Sequence, residues 1–425
     1  MVIIMQFYKE ENFKEMHGLR VPEDWEVVRI GDFIKYIKGK KPAVMVDEEL
    51  EGYYPYLSTE YLRDGIASKF VKITNKEIIV NENDILLLWD GSNAGEIFLG
   101  KKGILSSTMV KLEQKNKIMD DLYLFYSLKL KESFLKSQTK GTGIPHVDKK
   151  IFENIKIPLP PLEEQKQIAK ILSDFDNLIG TINKQIEVLN KAKKGMMKKL
   201  FTKGVFEHKS FKKSEIGEIP EDWEVVKLKE VVDIQSGKYF KYSEFCENGV
   251  KCLKIDNVGF GKIFWETVSF LPEDYLNKYP QLVLKSGDIV LALNRPIIGG
   301  KIKIGILKDI DEPAILYQRV GRFIFKSEKI DKQFLFYLLM SEYFKKELSK
   351  LLIGTDQPYI RTPVLLNIKI PLPHLEEQKA MAERLKSIDN LIEIKRKEKE
   401  QIEKAKKKIM NLLLTGKIRV KNLNF

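Results

Sequence analysis

NIKIPLPPLEEQKQIAKILSDFDNLI fills residues 154–179, and NIKIPLPHLEEQKAMAERLKSIDNLI fills residues 367–392. At an offset of 213, 18 of these 26 positions are identical, where unrelated segments of average composition share about one or two. A second echo opens each copy: VPEDWEVVRI begins at Val21 and IPEDWEVVKL at Ile219, an offset of 198. The 425 residues therefore hold two complete units in tandem.

Each repeat ends in a long helical stretch. In the first, apolar residues step by four and three through Ile168, Leu172, Phe175, Ile179, Ile182, Ile186 and Leu189, then Met196 and Leu200, with Lys193 interrupting. That period of 3.5 is a coiled-coil seam. The second gives Met381, Leu385, Ile388, Ile392, Ile402, Ile409 and Leu413, broken by Lys395, Lys399 and Lys406; Leu391, Ile394 and Ala405 are further candidates for its core. Prolines 158, 160, 161, 371 and 373 precede the helices, where a missing N–H costs nothing. Glu163, Glu164, Glu376 and Glu377 then read as first-turn acids at the positive end of the dipole. Thr202-Lys203-Gly204 and Thr415-Gly416 mark the exits. Each helix spans about 40 residues, or about 60 Å.

A globular segment joins the end of the first helix to the start of the second, and the termini of a domain tend to lie close together. The second helix is therefore expected to return antiparallel along the first, in a pseudo-twofold dumbbell of two α/β (α+β) heads. The expected division is a first head over 1–157, a helix within 158–206, a second head over 207–370 and a helix within 371–425. Fainter echoes support two equivalent heads. Asn83-Asp84-Ile85 answers Gly287-Asp288-Ile289 at the start of a strand, and Tyr123–Tyr126 answers Phe334–Tyr337 in a helix. Gly141-Thr142-Gly143 answers Gly354-Thr355-Asp356 in a loop. Between these landmarks the two halves diverge, as in one scaffold reading two different things.

The net charge of +13 sits in two places. Residues 184–203 carry seven lysines and one glutamate, and residues 393–421 carry eleven Lys or Arg and four glutamates; the rest sums to zero. Such runs are either solvated helix faces or a surface for a polyanion or acidic partner. Cys246 and Cys252 make no disulfide framework and are expected as two buried free thiols, consistent with a reducing cytoplasm. No stretch is apolar enough to span a bilayer.

Catalytic motifs are wanting. Gly95 to Lys102 approaches a phosphate-binding loop but ends in lysine where a magnesium-binding hydroxyl belongs. Glu164-Gln165-Lys166 and Glu377-Gln378-Lys379 match only half of a nuclease-like site, and Pro160-Pro161 lacks the flanking residues of an adenine clamp. His17, His146, His208 and His374 show no metal-ligand spacing. Trp25 and Trp223 are expected in the core.

The duplicated NIKIPLP-x-LEEQK helices and PEDWEVV openings resemble the specificity subunit of type I restriction-modification enzymes, over nearly the whole chain. The resemblance implies a non-catalytic subunit whose two recognition domains each read half of a split double-stranded DNA site, with the helix pair setting the gap. It implies two methyltransferase subunits bringing S-adenosylmethionine, restriction subunits using ATP and Mg, and no cofactor or metal in this chain. The seam lysines then snorkel outward, fix the antiparallel register, or meet an acidic surface of a methyltransferase subunit.

Polar loop residues are the candidate base readers. In the first head these are Asp90, Ser92, Asn93, Ser107, Thr108, Thr142 and His146; in the second, Asn294, Arg295, Gln318, Arg319, Thr355, Gln357, Tyr359 and Arg361. Because the heads are near neutral, the isolated chain is expected to bind DNA weakly. The rival readings are a free-standing tandem DNA-binding regulator, a coiled-coil interaction scaffold, and an enzyme whose site the motifs do not reveal.

Overall fold

A computed structural model describes residues 3–74, 76–141 and 143–422. Two helices dominate it, Leu162–Lys203 of 42 residues and Leu375–Leu414 of 40 residues. The chain divides into two compact units, and each takes in part of both long helices. The first comprises residues 1–183 with 397–425, the second residues 184–396.

In the first unit one four-stranded antiparallel sheet runs in the order Ile97–Leu99, Ile85–Leu88, Met109–Gln114, Ile34–Lys38. A second sheet runs Phe70–Lys72, Tyr53–Leu57, Gly103–Leu105, Ile79–Val80, with its central pair parallel. The strand Ile85–Leu88 is buried on both faces. Ile85 and Leu87 enter the core shared with the Asp121–Leu130 helix, whereas Leu86 and Leu88 enter a separate core with Leu57, Leu105 and Met109. Alternation of side chains across a strand explains why this segment is continuously apolar. The strands Glu26–Arg29 and Lys156–Leu159 pair as a ribbon at the entrance and exit of the head, and Ile3–Phe7 pairs antiparallel with Ile418–Asn422.

The second unit repeats both four-stranded sheets strand for strand. Its first sheet runs Ile304–Ile306, Ile289–Ala292, Val320–Phe325, Val232–Ser236, and its second runs Phe270–Leu271, Val250–Leu253, Ala314–Leu316, Val283–Leu284, again with a parallel central pair. Ile289 and Leu291 face one core and Val290 the other.

The two repeated motifs meet within each unit. In the first, the Glu164 carboxylate accepts from Trp25 Nε1 at 3.1 Å, from Arg419 Nε at 2.8 Å and from the Val420 amide at 3.1 Å. Arg419 also donates twice to Asp24, at 2.8 and 2.7 Å. Burial opposes its charge, but the Glu164 and Asp24 carboxylates outweigh that and hold its pKa above the ordinary arginine value. In the second unit Glu377 accepts from Trp223 Nε1 at 2.8 Å and from the Val205 and Phe206 amides at 2.9 and 3.3 Å. His208 Nε2 lies 3.0 Å from Glu377 and its Nδ1 lies 3.1 Å from Asp222. Glu164 and Glu377 are thus buried acceptors, not simple first-turn acids, while their neighbours Glu163 and Glu376 stay exposed. Both tryptophans are fully buried, as expected.

Each unit shows the helices antiparallel. In the first, Asp176 pairs with Lys406 and Glu164 with Arg419, so partner numbers rise as the first helix is traced back. In the second, Lys193 pairs with Asp389 at 2.7 Å, and the end of the first helix reaches Glu377. Every expected seam residue is buried or half-buried. The additional core candidates are not: Leu391 is 50% and Ile394 58% exposed, and Ala405 is also exposed. They sit beside the seam, on a flank that no described element covers. Cys252 is buried, and its thiol is pushed up to about 12 by that burial, but Cys246 is exposed, which corrects the expectation of two buried thiols.

Candidate nucleic-acid interface

In the first head, three loops far apart in sequence are stitched together by main-chain bonds. The Trp89 and Asp90 amides donate to Thr108 O at 2.8 and 3.1 Å, Gly91 N donates to Pro145 O at 2.9 Å, and Asp90 forms a bridge with His146. Lys140 and His146 exchange backbone bonds at 2.9 and 2.8 Å, closing the last loop on itself. Asp90, Ser92, Asn93, Ser107, Thr108 and His146 therefore share one end of this head, whereas Thr142 lies outside the described residues. Ser92, Asn93, Thr108 and His146 are exposed there. Asp90 is paired with Lys38 through one carboxylate oxygen. Ser107 is turned inward: its amide donates to Tyr56 Oη at 2.9 Å and its hydroxyl lies 3.3 Å from the same atom.

The second head uses the same stitches with different side chains. Leu293 N donates to Arg319 O at 2.8 Å, Arg295 N to Pro358 O at 2.6 Å, and Asn294 bridges Tyr359. Ile353 and Tyr359 exchange backbone bonds at 3.0 and 2.9 Å, and Ile360 N donates to Leu293 O at 2.9 Å. Asn294, Arg295, Gln318, Arg319, Thr355, Gln357, Tyr359 and Arg361 thus converge. Arg295, Arg319, Thr355, Gln357 and Arg361 are exposed; Asn294, Gln318 and Tyr359 are half-buried. Arg295 and Arg319 adopt φ of +47° and +65°, a left-handed conformation that costs a residue with a Cβ roughly 1–2 kcal/mol. Nearby Lys303 is held below the usual lysine range, first by burial and further by Arg295, against the opposing pull of Asp256. Arg295, Arg319 and Arg361 put three exposed guanidinium groups in this cluster.

The loops are brought close by two glycines that are not among the polar candidates. Gly39 and Gly237 lie where a Cβ would come within 2.0 Å of Ser106 O and 2.2 Å of Tyr317 O. Only glycine permits that approach. Each is followed by an exposed lysine, Lys40 or Lys238, and Lys238 lies 4.3 Å over the Tyr279 ring. A signal existed: a Gly-Lys pair stands 14 residues after Trp25 and again after Trp223. Lysines at these rims suit phosphate contacts, which position a reader without specifying sequence. Among the described residues no group of His, Cys, Asp and Glu is placed to hold a metal ion, and no helix is long and apolar enough to cross a membrane.

Known proteins resemble this chain over its whole length. The model of the type I restriction modification DNA specificity domain matches residues 22–191 and again 220–404. The putative type I restriction enzyme MjaX specificity subunit of Methanocaldococcus jannaschii is 46% identical over 99% of this chain and 100% of its own length. The EcoAI specificity subunit of Escherichia coli is 30% identical over 46% of this chain and 32% of its own. The crystal structure of a type I specificity subunit from M. genitalium covers 92% of this chain and 96% of its own, with a TM-score of 0.56 at 18% identity, a likeness of fold. Two matched domains at the two stitched heads, with a full-length relative, lead to one conclusion: this chain belongs to the type I restriction-modification DNA specificity family.

Proposed function

We propose that this chain selects a bipartite duplex site, each head reading one half through its three converging loops. The antiparallel helices set the separation of the halves. Methyltransferase subunits dock beside them and supply S-adenosylmethionine; restriction subunits, where present, supply ATP- and Mg-dependent cleavage. The chain itself performs no chemistry. The observation that carries this reading is the reuse of one strand topology and one set of stitching bonds to present unlike side chains at two places.

A surface beside the first long helix supports a docked partner. In the second unit a groove of about 710 Å³ runs between that helix and the hairpin Phe211–Ser214/Gly217–Pro220. Met197, Phe201, Leu338 and Pro371 floor it, and Lys191, Lys194, Lys198 and Lys346 outnumber Glu218 and Glu342 around it. An apolar segment with acidic flanks suits that lining.

The test is methylome mapping in cells expressing the chain with a cognate methyltransferase subunit. A split adenine-methylated site is expected. Replacing loops 90–93, 106–108 and 143–146 together with those of a relative should change one half and leave the other half and the spacer intact. Loops that alter both halves, or neither, would refute the assignment.

A further inference from the structure

We infer that the half-site read by the second head contains guanines contacted by Arg295 and Arg319, whereas the first head reads its half without arginine. This rests on the function proposed above and adds the base class.

The stitching bonds make the two heads comparable residue by residue. Gly91 N and Arg295 N make the same bond, to Pro145 O and Pro358 O, so Arg295 occupies the place of Gly91. Thr108 O and Arg319 O accept from Trp89 N and Leu293 N, so Arg319 occupies the place of Thr108. At the first place the backbone has positive φ in both heads, +120° at Gly91 and +47° at Arg295. Glycine is the residue this turn favours, yet the second head puts an arginine there and a second strained arginine, φ +65°, beside it. Strain of this kind persists where a side chain has work to do.

Both side chains are exposed, and among the described residues neither forms a salt bridge. Arg361 is likewise exposed and without a salt bridge among the described residues, but the remaining arginines of the heads are engaged: Arg29 with Asp32, Arg63 with Glu96, Arg322 with Asp288, and Arg20 over the Phe13 ring. An unpaired, planar fork of donors held at a loop tip matches the O6 and N7 acceptors of guanine in the major groove. The corresponding loops of the first head carry no arginine.

The experiment is selection from a randomised duplex library by the chain assembled with its methyltransferase subunits. Wild type is compared with Arg295→Gly and Arg319→Thr, which restore the first head's residues at each place, and with Arg319→Lys. Each variant should lose about tenfold or more in preference at a G·C pair, all within one half of the site, with the other half unchanged. Arg319→Lys should lose it too, because an ammonium lacks the fixed planar fork with which a guanidinium pairs with O6 and N7. Even weakening across all sequences, with a shallower salt dependence and recovery in Arg319→Lys, would mean phosphate contacts and overturn the proposal. So would relaxation confined to A·T positions, or no relaxation. A wild-type complex selecting no split site would instead sink the function proposed above, and this inference with it.

Discussion

Glu164 satisfies an indole N–H, a guanidinium and a backbone amide at once, and Glu377 does the same for an indole, two amides and a histidine ring. Removing either carboxylate strands buried donors. Glu164→Ala leaves Arg419, only 6% exposed, with Asp24 as its carboxylate partner, and should cost about 3–5 kcal/mol. Glu377→Ala orphans donors worth about 1–3 kcal/mol each. Glu376→Ala, at an exposed first-turn position, should stay within about 0.5 kcal/mol. Urea denaturation of the three variants checks this, and equal small shifts would remove the keystone role. The sequence marks these glutamates as repeated but does not separate them from their neighbours Glu163 and Glu376. What separates them is burial against partners 139 and 255 residues away for Glu164, contacts that no local pattern encodes.

The helices were the most legible elements, because a heptad repeat states its own buried face. The lysines interrupting it needed coordinates. Lys193 bonds Asp389 at 2.7 and 2.8 Å and lies 5.2 Å over the Tyr337 ring, while Tyr337 Oη donates to Asp389 at 2.9 Å. The first unit repeats the cluster with Lys406, Asp176 and Tyr126, whose hydroxyl donates to Asp176 at 2.8 Å. Burial, reinforced by the adjacent carboxylate, pushes both tyrosines above the ordinary phenol range. In each long helix the aspartate precedes the lysine by 17 residues, so sliding the pair by one heptad breaks both clusters together. That favours register control over an outward-snorkelling role for these two lysines. Lys193→Asp sets two carboxylates together and should destabilise the second unit; Lys193→Asp with Asp389→Lys should restore part of the loss. A coupling of about 0.5–3 kcal/mol from the four-variant cycle is expected, and a coupling near zero would leave the register to the apolar seam alone. Leu391 and Ile394 were misjudged because hydrophobicity one step off the seam looks like seam until the opposite face is known.

The whole chain carries a framework written twice and loops written once, and its legibility divides the same way. Repetition exposes strands, helices and motifs to comparison, whereas the convergence of the loops depends on bonds between residues tens of positions apart. Charge is distributed along the same division. The excess of +13 falls in residues 184–203 and 393–421, and the remainder of the chain is balanced, with rim lysines such as Lys38 and Lys140 already paired to Asp90 and Asp148. Affinity for duplex DNA grows with each phosphate neutralised, and each steepens the salt dependence by about 0.9 in log–log slope. Balanced heads therefore give the isolated chain few such contacts, and docked methyltransferase subunits should supply the rest. Titrating a labelled cognate duplex at about 0.15 M salt should show the lone chain binding far more weakly than the assembled complex, with the shallower slope of the two. Nanomolar specific binding by the chain alone would instead favour a self-sufficient DNA-binding regulator, and equal slopes would mean that this chain makes the phosphate contacts itself.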